Sequence, residues 1–410
     1  MENNVSWFKV KLGDLCSVIT KGTTPRGGYL SKNDRDSVLF LRAENINDTI
    51  VGKDNFKYIS KTVHEKELKR SMLKKDDILL TIAGTLGRVA IMPEKFLPAN
   101  ANQAVGIIRV FSNKCDLKYL YYYLKNPFLM LPMIAASSGQ SVQPNFNLNQ
   151  ISNIEIKLHT LSIQRKITAV LSSIDDKIEL NNKVIANLES QLSNSFKFEY
   201  FENESRYKWE TVEFGNIVSK FATGLNPRKN FVLGHGDNYY VTIKNMGNNQ
   251  IYLDDKCDKV DDEALSKINV RSNLESGDFL FSGIGTIGRV FYIDEKPANW
   301  NISESVFTIR PNNRVSKEFM YLLLLSRDLQ DYVNQYAQGS AQKGIRMSDF
   351  KKYKVSLPPK QWIDNISSRW GVLIQQTKLL YKENQKLMEL RDALIPKLMS
   401  GEIDVSKVEI

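Results

Sequence analysis

The run Gly283-Ile284-Gly285-Thr286-Ile287-Gly288 has the spacing of a dinucleotide fingerprint, whose glycines let backbone amides approach a pyrophosphate. That chemistry needs a strand before the run and a helix after it. The residues that follow, Arg289-Val290-Phe291-Tyr292-Ile293, read instead as a second strand. The corresponding run in the first half begins with Ile82 in place of the first glycine. Both halves share Gly-Thr-x-Gly-Arg-Val, which reads as a tight hairpin turn with Arg88 and Arg289 at its exit. Turn amides, Thr85 or Thr286, and the arginine could touch a phosphate backbone. The alternative is a structural turn with a solvated arginine. Two polar loops, 137–145 and 338–343, offer other chemistry. Gln140, Gln143 and Asn145 in one, and Ser340, Gln342 and Lys343 in the other, could bond base edges or phosphate, or simply connect to a helix. Arg42 and Lys244 are near-equivalents when the halves are aligned; each could read a base, anchor a phosphate, or pair with a carboxylate.

Other constellations are missing. His64, His159 and His235 lack metal spacing, and Cys16, Cys115 and Cys257 form no disulfide or zinc framework, which favours a reducing cytoplasm. There is no P-loop and no Gly-x-Ser-x-Gly elbow. Lys125-Asn126-Pro127-Phe128 faintly echoes the box of amino-methyltransferases but lacks its second proline. Asp76-Asp77 and Asp254-Asp255 sit beside lysines and read as solvated turns rather than nuclease ligands. The first 11 residues lack an apolar signal core, and no apolar run is long enough for a bilayer, so no membrane is expected. The net charge of +10 favours a polyanionic partner.

The elements that must position these residues occur twice. A shift of about 200 residues aligns Trp7 with Trp209, Gly22-Thr23-Thr24-Pro25-Arg26 with Gly224-Leu225-Asn226-Pro227-Arg228, and Phe40-Leu41-Arg42 with Tyr240-Val241-Thr242. Such a unit is too long for a solenoid repeat, so a whole module is duplicated. Each module opens with short strand-like runs such as 37–41, 77–81 and 105–110, with Gly106 a site for a bulge, and with short aromatic-rich helices at 118–124 and 318–326. Each ends in a long helix of about 37 residues, or about 55 Å. Ile167, Leu171, Ile174, Ile178, Ile185, Leu188 and Leu192 step by the heptad spacing, as do Ile366, Trp370, Leu373, Thr377, Leu380, Asn384, Leu387, Leu394 and Leu398. Arg391 falls on the second stripe and needs a partner or solvent. Such stripes most simply pair with each other, although each helix could instead pack on its own module. A two-fold relation makes the pair antiparallel and brings Asn181 and Asn384, near the helix midpoints, together to fix register. The expected fold is mixed α/β: two tandem domains related by pseudo-two-fold symmetry and separated by two long antiparallel coiled-coil helices. The expected boundaries are 1–160, 161–200, 201–360 and 361–410.

The tail Leu390-Arg391-Asp392-Ala393-Leu394-Ile395-Pro396-Lys397-Leu398-Met399-Ser400-Gly401-Glu402-Ile403 closely resembles the C-terminal signature of specificity subunits of type I restriction-modification systems. Val10-Lys11-Leu12-Gly13 and Gly22-Thr23-Thr24-Pro25 are similar to the opening of their target-recognition domains, and Leu357-Pro358-Pro359 to the lead-in to their spacer helices. The first lead-in, Leu158-His159-Thr160-Leu161, lacks the usual prolines. The resemblance implies that each domain reads one half of a split, asymmetric site in double-stranded DNA. The helices would set the spacer and dock two modification subunits, which restriction subunits can join. S-adenosylmethionine for adenine methylation, and ATP and Mg for restriction, would belong to those partners, with no cofactor bound and no catalysis performed by this chain. The competing expectations are a coiled-coil scaffold without DNA specificity and a self-standing cofactor-binding enzyme.

Overall fold

The computed structural model describes residues 7–407 apart from 33, 51–54, 139–144, 248–249 and 340–341. The chain forms two compact units, residues 1–178 with 386–410, and residues 179–385. Each contains a mixed α/β head and part of both long helices.

In unit 1 the central antiparallel sheet runs Cys16–Lys21, Val105–Val110, Ile78–Thr81, Val89–Ile91. A three-stranded sheet runs Lys57–Ser60, Ser37–Leu41, Ala99–Ala101, its last pair parallel. A two-stranded ribbon joins Phe8–Lys11 to Glu155–Leu158, and a small hairpin joins Ile46–Asn47 to Thr49–Ile50. Unit 2 repeats every part in the same order. Its central sheet is Val218–Thr223, Val306–Pro311, Phe279–Ser282, Val290–Tyr292, and its three-stranded sheet is Asp258–Val260, Asn238–Val241, Trp300–Ile302. The ribbon is Glu210–Glu213 with Lys354–Leu357, and the small hairpin Met246–Gly247 with Gln250–Ile251. The strands Ile78–Thr81 and Phe279–Ser282 are buried along their whole length, so they carry continuous apolar runs rather than an alternating pattern.

Two expectations are corrected here. The irregular register lies between Arg109 and Val110, not at Gly106. Asp77 is no solvated turn residue: its side chain is fully buried and accepts a forked pair of hydrogen bonds from Arg109, at 2.7 and 2.8 Å. Unit 2 repeats the fork between Asp278 and Arg310, at 2.6 and 2.9 Å. A carboxylate out of water needs such a fork, which here clamps neighbouring strands of the central sheet.

The long helices are Leu161–Phe196 and Lys360–Ser400. Within unit 2 their segments pack antiparallel along the apolar stripes. Asn181 Nδ2 donates to Asn384 Oδ1 at 2.9 Å, and Trp370 Nε1 to Ser195 Oγ at 2.9 Å. Asn181 also donates to Glu383, and Asn384 to Asn182. Within unit 1, Ile167 and Leu171 share a core with Ile395, Leu398, Met399 and Val405, so the C-terminal tail is part of the first head's interior. Arg391 is buried there against Asp175 (2.8 Å), Asp392 (2.9 Å) and Asp48 (3.5 Å), which supplies the partners its stripe position demanded.

Candidate nucleic-acid interface

Strand direction decides which loops share an end of each head. Lys21 lies opposite Gly106, Val105 opposite Thr81, and Leu41 opposite Ala101. The C-terminal ends of Cys16–Lys21, Ser37–Leu41, Ile78–Thr81 and Ala99–Ala101 therefore lie together, with the start of Val105–Val110. Backbone bonds stitch the emerging loops: Thr23 N to Ala101 O (3.0 Å), Asn102 N to Leu41 O (2.8 Å), Ile82 N to Ala104 O (2.8 Å) and Phe146 N to Ile82 O (2.9 Å). In unit 2 the matching bonds are Ser303 N to Val241 O (2.8 Å), Gly283 N to Ser305 O (2.9 Å) and Ile345 N to Gly283 O (3.0 Å).

The Gly-Thr-x-Gly-Arg-Val runs are hairpin turns between antiparallel strands. Gly84 and Gly87 have φ of +75° and +82°, and Gly285 and Gly288 have +84° and +91°, which is where glycine carries no steric penalty. A buried hydroxyl braces each turn: Thr81 Oγ1 accepts from Arg88 N at 2.8 Å, and Ser282 Oγ from Arg289 N at 2.7 Å. Thr85 and Thr286 are exposed at the tips. The Arg88 side chain has no partner among the described residues. Arg289 donates to the carbonyls of Ile243 and Met246, which fastens the turn to the short helix Ile243–Asn245.

That helix carries Lys244, exposed to solvent. Arg42 begins the matching helix Ala43–Asn45 of unit 1, where unit 2 has Thr242; both positions donate a backbone N–H to an asparagine, Asn45 or Asn245, at 2.9 Å. The direct counterpart of Lys244 is thus Glu44. Arg42 is half-buried, paired with Glu44 and bonded to Asn55 O at 3.2 Å, as the carboxylate alternative required. Asn145 is exposed and bridges to Ala83 beside the turn, while Gln342 and Lys343 are exposed and Gly285 N donates to Lys343 O at 2.7 Å. Gln140, Gln143 and Ser340 lie outside the described residues. Every described site candidate on the heads thus stands at the same end of its head, and that end carries Arg26 and Arg88, or Arg228, Lys244, Arg289 and Lys343.

Sequence reasoning missed one pair of positions at this end, Gln103 and Glu304, in the loops that follow Ala99–Ala101 and Trp300–Ile302. Thr24 Oγ1 donates to Gln103 Oε1. Glu304 accepts from Asn226 Nδ2 at 2.6 Å and from Tyr240 Oη at 3.0 Å. Burial first, and then the Glu304 carboxylate, push the Tyr240 phenol up, so it stays a donor. The signal was present in the repeat alignment, where two polar side chains of different type face each other across the duplication. No group of three or more His, Cys, Asp or Glu side chains among the described residues could hold a metal, and no described helix is long and apolar enough to cross a membrane.

Comparison with known proteins matches this duplicated architecture. The family described as type I restriction modification DNA specificity domain matches residues 4–190 and again 207–389. The chain is 24% identical to the MjaIX type I restriction enzyme specificity subunit of Methanocaldococcus jannaschii, over 86% of this chain and 85% of that one. It is 22% identical to the HindI specificity subunit of Haemophilus influenzae, over 65% and 73%. A crystal structure of a type I restriction-modification S subunit from M. genitalium superposes with a TM-score of 0.53 at 18% identity, covering 97% of each chain, which shows the shared fold. With two family matches that together span most of its length, the chain belongs to the type I restriction-modification DNA specificity family.

Proposed function

We propose that each head reads one half of a split, asymmetric DNA site through the loop end described above. One observation carries the reading. The same scaffold gathers the same loops at one end of both heads, yet the side chains there differ: Arg42, Glu44, Gln103 and Asn145 against Thr242, Lys244, Glu304, Gln342 and Lys343. A constant frame with variable donors and acceptors suits direct readout, and the cations around it suit phosphate contact. The hairpin turns, with Thr85 and Arg88 or Thr286 and Arg289, grip backbone, and Gln140, Gln143 and Ser340 belong to the same reading loops.

The long helices set the distance between half-sites, with Asn181 and Asn384 fixing their register, and offer docking faces to two modification subunits. Exposed Leu180, Val184, Val372 and Leu379 in unit 2, and Leu390 in unit 1, leave apolar helix surface for such partners to cover. The chain works in the cytoplasm and supplies the address. Adenine methylation with S-adenosylmethionine, and restriction with ATP and Mg, belong to partner subunits. The deciding experiment maps methylated adenines genome-wide in cells with the modification subunit, with and without this chain. A split motif that vanishes on deletion supports the reading, and exchange of residues 1–160 then changes one half of it. Unchanged methylation with an active partner, and no salt-sensitive DNA affinity, would favour a scaffold instead.

A further inference from the structure

Gln103 and Glu304 occupy the same loop position in the two heads, three residues long and bonded on both sides to elements that carry the candidate interface. Each is held by a neighbour from the loop after the first central strand, Thr24 or Asn226. The brace is kept while the braced chemistry changes, from a neutral amide to a carboxylate. Phe40 stands where Tyr240 stands, so the extra hydroxyl that steadies the carboxylate exists only where there is a carboxylate.

A carboxylate among Arg228, Lys244, Arg289 and Lys343 works against phosphate attraction, so its presence calls for a reason. A purely structural brace could be neutral, as Gln103 is. Both Glu304 oxygens have spare acceptor capacity after one hydrogen bond each. Asn226 Oδ1, beside them, is buried without a partner. The ionised Glu304 side chain can only accept, which sets it apart from the cationic donors at this end of the head. In the major groove, cytosine offers its N4 amino group with no adjacent acceptor, whereas adenine pairs N6 with the acceptor N7, and guanine and thymine present acceptors there.

Building on the half-site reading above, we propose that Glu304 is a specificity-determining residue of the second head that accepts a hydrogen bond from a cytosine amino group, with Tyr240 and Asn226 as its positioning residues. Gln103 is the matching reader in the first head, its amide suited to an adenine edge.

The test is methylome mapping in cells carrying the full chain and its modification subunit. Glu304→Gln keeps the shape but only one of the two incoming hydrogen bonds, because its Nε2 donates where a carboxylate oxygen accepted. It should relax the cytosine preference at one position of one half-site, by roughly 10- to 100-fold, and leave the other half unchanged. Tyr240→Phe should weaken the same preference without moving it to another base. Gln103→Glu, at an exposed side chain, should bring a cytosine preference into the first head's half-site, which keeps the test open if Glu304→Gln fails to fold. An unchanged motif in both Glu304→Gln and Gln103→Glu overturns this inference alone. Methylation that does not depend on the chain at all overturns the half-site reading beneath it.

Discussion

The amide pair on the helix seam gives the sharpest quantitative expectation. Asn181 is 1% exposed and Asn384 5%, and the direct bond between them spans 2.9 Å. Asn181→Leu removes that donor and leaves Asn384 Oδ1 buried beside an alkyl group. Such an orphaned acceptor costs about 1–3 kcal/mol. Asn384→Leu strands the Asn181 amide similarly, although Glu383 still accepts one of its hydrogens. Replacing both by leucine removes the polar mismatch and extends an apolar seam, which is neutral or stabilising by analogy with other buried polar groups. The double variant should therefore lie well above the sum of the singles, with a coupling of about 1–3 kcal/mol. For a unit of about 200 residues each kcal/mol moves the melting temperature by about 2–4 °C, so calorimetry resolves the cycle. The apolar seam also loses its register marker. A slip of one heptad moves the paired segments by about 10 Å, or about three base pairs, so the spacer of the methylated motif should become heterogeneous in the double variant. Additive singles with a single spacer length would refute the reasoning.

Three further outcomes follow from the same geometry. A chain ending at Leu394 loses Ile395, Leu398, Met399 and Val405 from the first head's core; at about 1.5–3 kcal/mol each this rivals the whole stability of a domain, so unit 1 should lose its calorimetric transition while unit 2 keeps its own. Arg88→Ala should weaken binding to all duplexes alike and flatten the slope of log affinity against log salt by about one, whereas Arg289→Ala should in addition loosen residues 243–246, seen as faster amide exchange there. Burial against Trp7 holds the His159 imidazole below its usual 6.5. The unfolded chain therefore takes up the proton first: the stability of unit 1 should be at its full value above about pH 6.5 and decline as pH falls towards the folded-state value. His159→Gln should lessen that decline in pH-dependent melts.

Much of this protein was legible in its sequence because the informative signals are local or repeated. The heptad spacing of Leu171, Ile174 and Ile178 reports a helix that buries one stripe, whatever covers it. The glycines of the two turns report positive φ without reference to the rest of the chain. Duplication reports a common frame, since two stretches diverging under one fold keep the same punctuation. Tertiary structure alone decided what lies beside what. The parallel pairing of Leu41 with Ala101 joins segments some 60 positions apart, and no periodicity encodes it. From that pairing comes the shared end where Arg42, the hairpin turn and Gln103 meet. Asp77 looked like a solvated acid because its neighbours in sequence are lysines and Asp76; only the sheet brings Arg109 to it. Arg391 looked like a flaw in an apolar stripe until Asp175 and Asp48 closed around it. Local patterns reveal which face of an element is buried, while the identity of the partner across that face depends on long-range pairing that only the folded chain specifies.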